Sequence, residues 1–145
     1  MIPPRLSPLG TVASRPVAAW EDLVAFVRVR YEVVRQTDEE LWFNLPTTGD
    51  RTQLVAVRLV RGADDHPWAQ ITSPICRVDQ ADLSRLLELA GESVMGGAAA
   101  VDGVVVFRHS IPLDEIALDA FDRPFRLVVE TADRIEHELT GEDVH

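Results

Sequence analysis

The residues best placed to do chemistry lie at the end of the chain, in Ile135-Glu136-His137-Glu138-Leu139-Thr140-Gly141-Glu142-Asp143-Val144-His145. A zinc peptidase helix needs His, then Glu, then a second His four residues after the first, so that both imidazoles share one face. His137 is followed by Glu138, but the four-residue position is Gly141 and His145 lies eight residues on. Gly141 reads as a helix stop rather than a ligand, so the stretch reads as the capped, acidic end of a helix and no metal is expected.

The other candidates are equally incomplete. Cys76 follows Ser73-Pro74-Ile75, and Arg77 is beside it. A thiolate nucleophile needs a base and a positive setting, and nothing in the sequence brings a histidine to it. Ser110 follows His109 without the G-x-S-x-G elbow of a serine hydrolase. The segment from Gly96 to Gly103 lacks the lysine of a phosphate loop. Asp79-Gln80-Ala81-Asp82 opens like a calcium loop but has no glycine at its sixth position and no closing glutamate. No catalytic residue, metal ligand or cofactor site is therefore expected, and the chain reads as a non-enzyme.

The 145 residues carry 24 acidic and 14 basic side chains, a net charge of −10, and every basic residue is arginine. An acidic surface repels phosphate backbones, so nucleic acid is not an expected partner. The one cysteine permits no internal disulfide and fits a reducing, cytoplasmic setting. No apolar run approaches the roughly 18 residues of a membrane span, and the N-terminus lacks the apolar core of a signal peptide.

These candidates would be positioned by a recognisable order of elements. Met1–Arg15 is proline-rich and reads as an extended arm. Residues 16–141 read as one domain, and 142–145 as an acidic tail. Trp20, Leu23, Val24 and Val27, with Phe26 beside them, predict a first helix. The period then falls to two over Tyr31–Thr37, Glu40–Pro46, Thr52–Arg61 and Trp68–Ile75, predicting an antiparallel meander. Leu83, Leu86, Leu87, Ala90 and Val94 predict one apolar stripe on a second helix, capped by Asp79. Asp102-Gly103 predicts a tight hairpin turn, which needs positive φ at both positions. Phe125, Val128, Ala132, Ile135 and Leu139 predict a packed face on a last helix from Asp122, with Arg126/Glu130, Glu130/Arg134 and Arg134/Glu138 as surface ion pairs. The fold class is α+β, in the order α-β-β-β-(β)-α-β-β-α.

Trp42 stands between Leu41 and Phe43, so its strand carries large apolar groups on both faces. Either helices cover both sides of the sheet, or one face or the first helix docks another chain.

The order of elements, the segment Trp68–Ile75 leading into Asp82–Met95, the hairpin around Asp102-Gly103 and the terminal helix with Ala132–Gly141 together resemble the type III secretion chaperone-like fold, and within it the YbjN family of small bacterial proteins. The resemblance covers about Trp20–Gly141, with one strand more than the usual three before the second helix. It implies an acidic homodimer that holds an extended client segment on apolar patches, or, in the YbjN manner, a regulatory, stress-linked protein with a folded signalling partner. On this reading Leu23, Phe26, Val27, Trp42 and Phe43 face the partner, and Leu83, Leu86, Leu87 and Ala90 form the dimer seam. A hydrolase with an unrecognised site would instead show a concave pocket of clustered, perturbed ionisable groups.

Overall fold

A computed structural model describes the backbone of residues 19–144 and the side chains as far as residue 140. The N-terminal arm lies outside the described residues. Those residues form three α-helices and one six-stranded antiparallel sheet, in the expected α+β order.

Helix α1 spans Trp20–Arg30 and buries Trp20, Leu23 and Val27 at the spacing that keeps one face inward. The Trp20 indole donates to the Asp38 carbonyl at 2.8 Å, tying the helix start to the turn between the first two strands. The meander follows as β1 (Val33–Thr37), β2 (Glu40–Pro46), β3 (Thr52–Arg61) and β4 (Pro67–Arg77). After α2 (Leu83–Ala90), strands β5 (Gly97–Val101) and β6 (Val104–Pro112) form a hairpin, and α3 runs over Asp122–Val144. The sheet order is β1-β2-β3-β4-β6-β5, so β6 docks on β4 and β5 becomes an edge. At the hairpin turn, Asp102 and Gly103 take φ values of 51° and 81°, as the tight turn requires.

All three helices lie on one side of the sheet. One strand parity, including Leu41, Phe43, Val57, Ile71 and Phe107, joins the helix residues in a single buried core. The other parity faces away from it. Within the core, Phe43, Phe121, Phe125 and Tyr31 pack ring against ring, with Phe43 and Phe125 centroids 5.5 Å apart and edge-to-face.

Four local expectations change. The cap of α2 is Asp82, whose carboxylate accepts from the Arg85 amide at 3.1 Å, and not Asp79, which sits in a 3₁₀ turn over Val78–Gln80. The helix therefore starts at Leu83 and is short. Its buried residues are Leu86, Leu89 and Ala90, whereas Leu83 and Leu87 are exposed and Val94 lies beyond its end in the open. The supposed single stripe is two faces, of which only one is packed. Finally, α3 passes through Gly141 without stopping. On its surface Arg126 pairs back to Asp122 at 2.9 Å and Arg134 reaches Glu92 at 3.3 Å, in place of the Glu130 pairs expected.

The Tyr31 hydroxyl donates to the Asp122 carboxylate, which Arg126 also contacts. Burial first, and then the hydrogen bond to Asp122, push the Tyr31 pKa up to about 12. Burial opposes ionisation of Asp122, but hydrogen bonds from Tyr31 and Arg126 outweigh it and hold its carboxyl below the usual range. The raised phenol contributes stability fully present below pH ~10, the ordinary tyrosine value. That stability is lost as pH rises toward the folded value of about 12. The depressed Asp122 contributes stability above the ordinary carboxylate value that is lost as pH falls through its folded one. Tyr31 is the only tyrosine, so its phenolate absorbance is unambiguous. We expect a titration midpoint near 12 in the native protein, lowered toward 10 by Asp122→Asn; a midpoint unmoved by that substitution would show the hydrogen bond to be unimportant.

Candidate binding surface on the bare face of the sheet

The strand parity opposite the helices places side chains in rows across the sheet. Register pairs Arg35 with Trp42, Trp42 with Ala56, Ala56 with Thr72, and Thr72 with Arg108. A second row sets Glu40 opposite Arg58 and Arg58 opposite Gln70. Directly opposed residues share a face, so these two rows make one surface, and no described helix lies on it.

That surface is hollow. A depression of about 340 Å³ is walled by Trp42 on one side and by Val101 and Asp102 of the β5–β6 turn on the other. Its floor is apolar: Ala56 and Val106 are almost fully buried, although both lie outside the core beneath the helices. The Trp42 indole donates to the Glu40 carboxylate at 2.7 Å, and the Arg35 guanidinium stands 5.0 Å from its ring centroid, so the ring is held upright between a carboxylate and a cation. Arg58 meets Glu40 only at 3.9 Å. The Thr72 hydroxyl oxygen is buried with no hydrogen-bond partner among the described residues.

Of the residues expected to face a partner, Trp42 alone lies on this surface. Leu23, Val27 and Phe43 are wholly buried in the core and present nothing to a second chain. Phe26 is half-buried against the core with Arg30 over its ring at 4.3 Å. Of the expected dimer seam, Leu86 and Ala90 pack inside this chain, and only Leu83 and Leu87 reach solvent. The neighbouring positions Ala56, Arg58 and Arg108, with Arg35, were not singled out by sequence. Their signal was strand parity, which separates Ala56 and Arg58 from Val55 and Val57 but does not say which set is covered.

A second depression, of about 630 Å³, opens beside the end of α3 and includes Cys76, Gln80, Asp82, Arg85 and Glu136. The pairing of β3 with β4 ends at Ala56 and Thr72. There Ser73 donates to the Leu54 carbonyl at 2.6 Å, and the Gln53 amide donates to Ser73 and to the Pro74 carbonyl, bridging the gap with side chains. Burial raises the Glu136 pKa, helped by the Asp133 charge and opposed by Arg51. Glu136 lines this cleft beside Leu139 and Thr140. Among the described residues, neither His66 at the β3–β4 turn, nor His109 on β6, nor His137 on α3 lines it. Among the described residues no three His, Cys, Asp or Glu side chains group as a metal site would.

The fold and this surface define a two-layer α+β domain: three helices shield one side of a sheet whose other side no described helix covers, apolar at its centre and bordered by arginines together with Glu40 and Asp102. The sequence matches no family model and no curated protein. No helix of the described residues is long and apolar enough to cross a membrane.

Proposed function

We propose that this protein is a non-enzymatic protein-binding module that holds an extended apolar segment of another chain in the hollow around Trp42. The observation carrying this reading is the sheet face that no described helix covers, with Trp42 half-buried beside buried Ala56 and Val106. A rigid aromatic at the edge of an apolar depression, with arginines beside it, has the composition of a binding hot spot. The acidic remainder of the molecule keeps such a face in solution. This supports the secretion-chaperone-like reading of the sequence, keeps Trp42 but drops Leu23, Phe26, Val27 and Phe43 from the client surface, and leaves cytoplasmic placement and homodimerisation as parts of the same proposal. The exposed Leu83 and Leu87 on α2 are what remains to support a dimer seam.

The test uses a permanently unfolded model client, reduced and carboxymethylated α-lactalbumin. Native protein is expected to bind it. Trp42→Glu, which places a charge in the hollow, should weaken binding at least tenfold with little change in thermal midpoint, because Trp42 lies outside the main core. Binding that survives Trp42→Glu unchanged would remove the client role from this face.

A further inference from the structure

We infer that the segment bound on this face is apolar at its centre and carries two carboxylates about five to six residues apart. The inference rests on the preceding reading and adds the chemistry and spacing of the partner. Elsewhere on the chain arginines sit against carboxylates, as Arg51 does on Asp133 at 2.8 Å and Arg126 on Asp122 at 2.9 Å. On the bare face Arg58 has Glu40 at 3.9 Å, but the two arginines at the ends of the Trp42 row have no carboxylate among the described residues. Arg108 is exposed and has no hydrogen bond or ion pair with any described residue, and Arg35 has only the Trp42 ring. In a chain with 24 acidic and 14 basic residues, two cations without carboxylate partners at the ends of one apolar row are a complement for anions.

Their separation follows from the register. Arg35, Trp42, Ala56, Thr72 and Arg108 stand opposite one another on five successive strands. Four steps of about 4.8 Å make about 19 Å, and an extended chain rises about 3.3–3.4 Å per residue. A segment crossing the strands along this row therefore meets the second arginine five to six residues after the first. Its middle residues pass Trp42, the small Ala56 floor and the unpartnered Thr72 hydroxyl. The chain's own residues 1–18 are a poor occupant: they carry Arg5 and Arg15 and no acidic residue.

Calorimetry with unlabelled synthetic peptides on the full chain tests this. The probe has two glutamates separated by about five residues around a Leu-Val-Phe centre; its controls carry glutamine or lysine in their place, or both glutamates adjacent. The spaced glutamate peptide is expected to bind best. Each glutamate replaced by glutamine should cost about two- to fivefold, the worth of an exposed ion pair, and added salt should erode the difference. Arg108→Glu should reverse the preference toward the lysine peptide. Equal binding of the glutamine, lysine and adjacent-glutamate peptides overturns the inference while leaving the hollow as a binding site. If no peptide binds and the unfolded client binds regardless of Trp42→Glu, the functional reading falls with it. If light scattering shows that Arg108→Glu dissociates an oligomer, the face is a seam between copies and the inference is wrong.

Discussion

Leu86→Glu is expected to unfold the domain, and Leu87→Glu, one residue further along the same helix, is expected to leave it folded. Leu86 is 1% exposed and belongs to the core shared by α2, α3 and the sheet, whereas Leu87 is 60% exposed. Truncating a buried leucine to alanine alone costs about 2–5 kcal/mol. A carboxylate at the same site adds the cost of burying a charge or protonating it, and whole domains are stable by only about 5–15 kcal/mol. Circular dichroism during urea titration separates the two variants. Equal midpoints would mean that α2 does not dock as described. The same pair examines the dimer: if the outward face of α2 joins two copies, Leu87→Glu should halve the mass seen by light scattering without lowering the urea midpoint of the isolated chain.

That contrast also marks how far the sequence could be read. Strands were legible almost to the residue, because a two-residue period bounded by turn residues has few alternatives: the stretches Glu40–Pro46 and Thr52–Arg61 are β2 and β3 as they stand. Asp102-Gly103 was legible because few residue pairs accept positive φ twice. Helix α2 was not. Leu83 and Leu87 lie on one face and Leu86 and Leu89 on the adjacent one, and both are apolar. Only the position of α3, distant in sequence, decides which is packed, and the cap is Asp82 rather than the expected Asp79. The sheet posed the same problem more sharply. Parity separates Trp42 from Phe43, but the choice of covered face is made by Phe125 and its neighbours on α3. The candidate site was least legible of all, since Arg35, Arg58 and Arg108 come from three strands and meet only through register.

Phe125→Ala is expected to cost about 3–5 kcal/mol, the usual range for emptying a buried aromatic site. Phe125 is fully buried and its ring lies 4.9 Å from Tyr31, 5.3 Å from Phe121 and 5.5 Å from Phe43. It thus joins the residue after α1, strand β2 and helix α3 at one point. Pairs of aromatic rings add about 0.5–1.5 kcal/mol beyond the area they bury, and three such contacts leave together. Phe43→Ala should be similarly costly, but the double variant should cost less than the sum, because each single change already destroys their shared contact. Tyr31→Phe keeps the ring and removes only the hydrogen bond to Asp122, so its cost should stay near 1 kcal/mol. Urea midpoints of the four variants test this ordering; additive Phe43 and Phe125 effects would show that the cluster does not act as a unit. Phe43 also adjoins Trp42 on β2, with its ring on the opposite side of the sheet. The cavity left by Phe125→Ala would loosen the strand that holds the Trp42 ring upright against Glu40 and Arg35. Client binding should therefore weaken in the Phe125 variant under conditions where it is still folded, although Phe125 lies beneath the sheet and touches no part of the hollow.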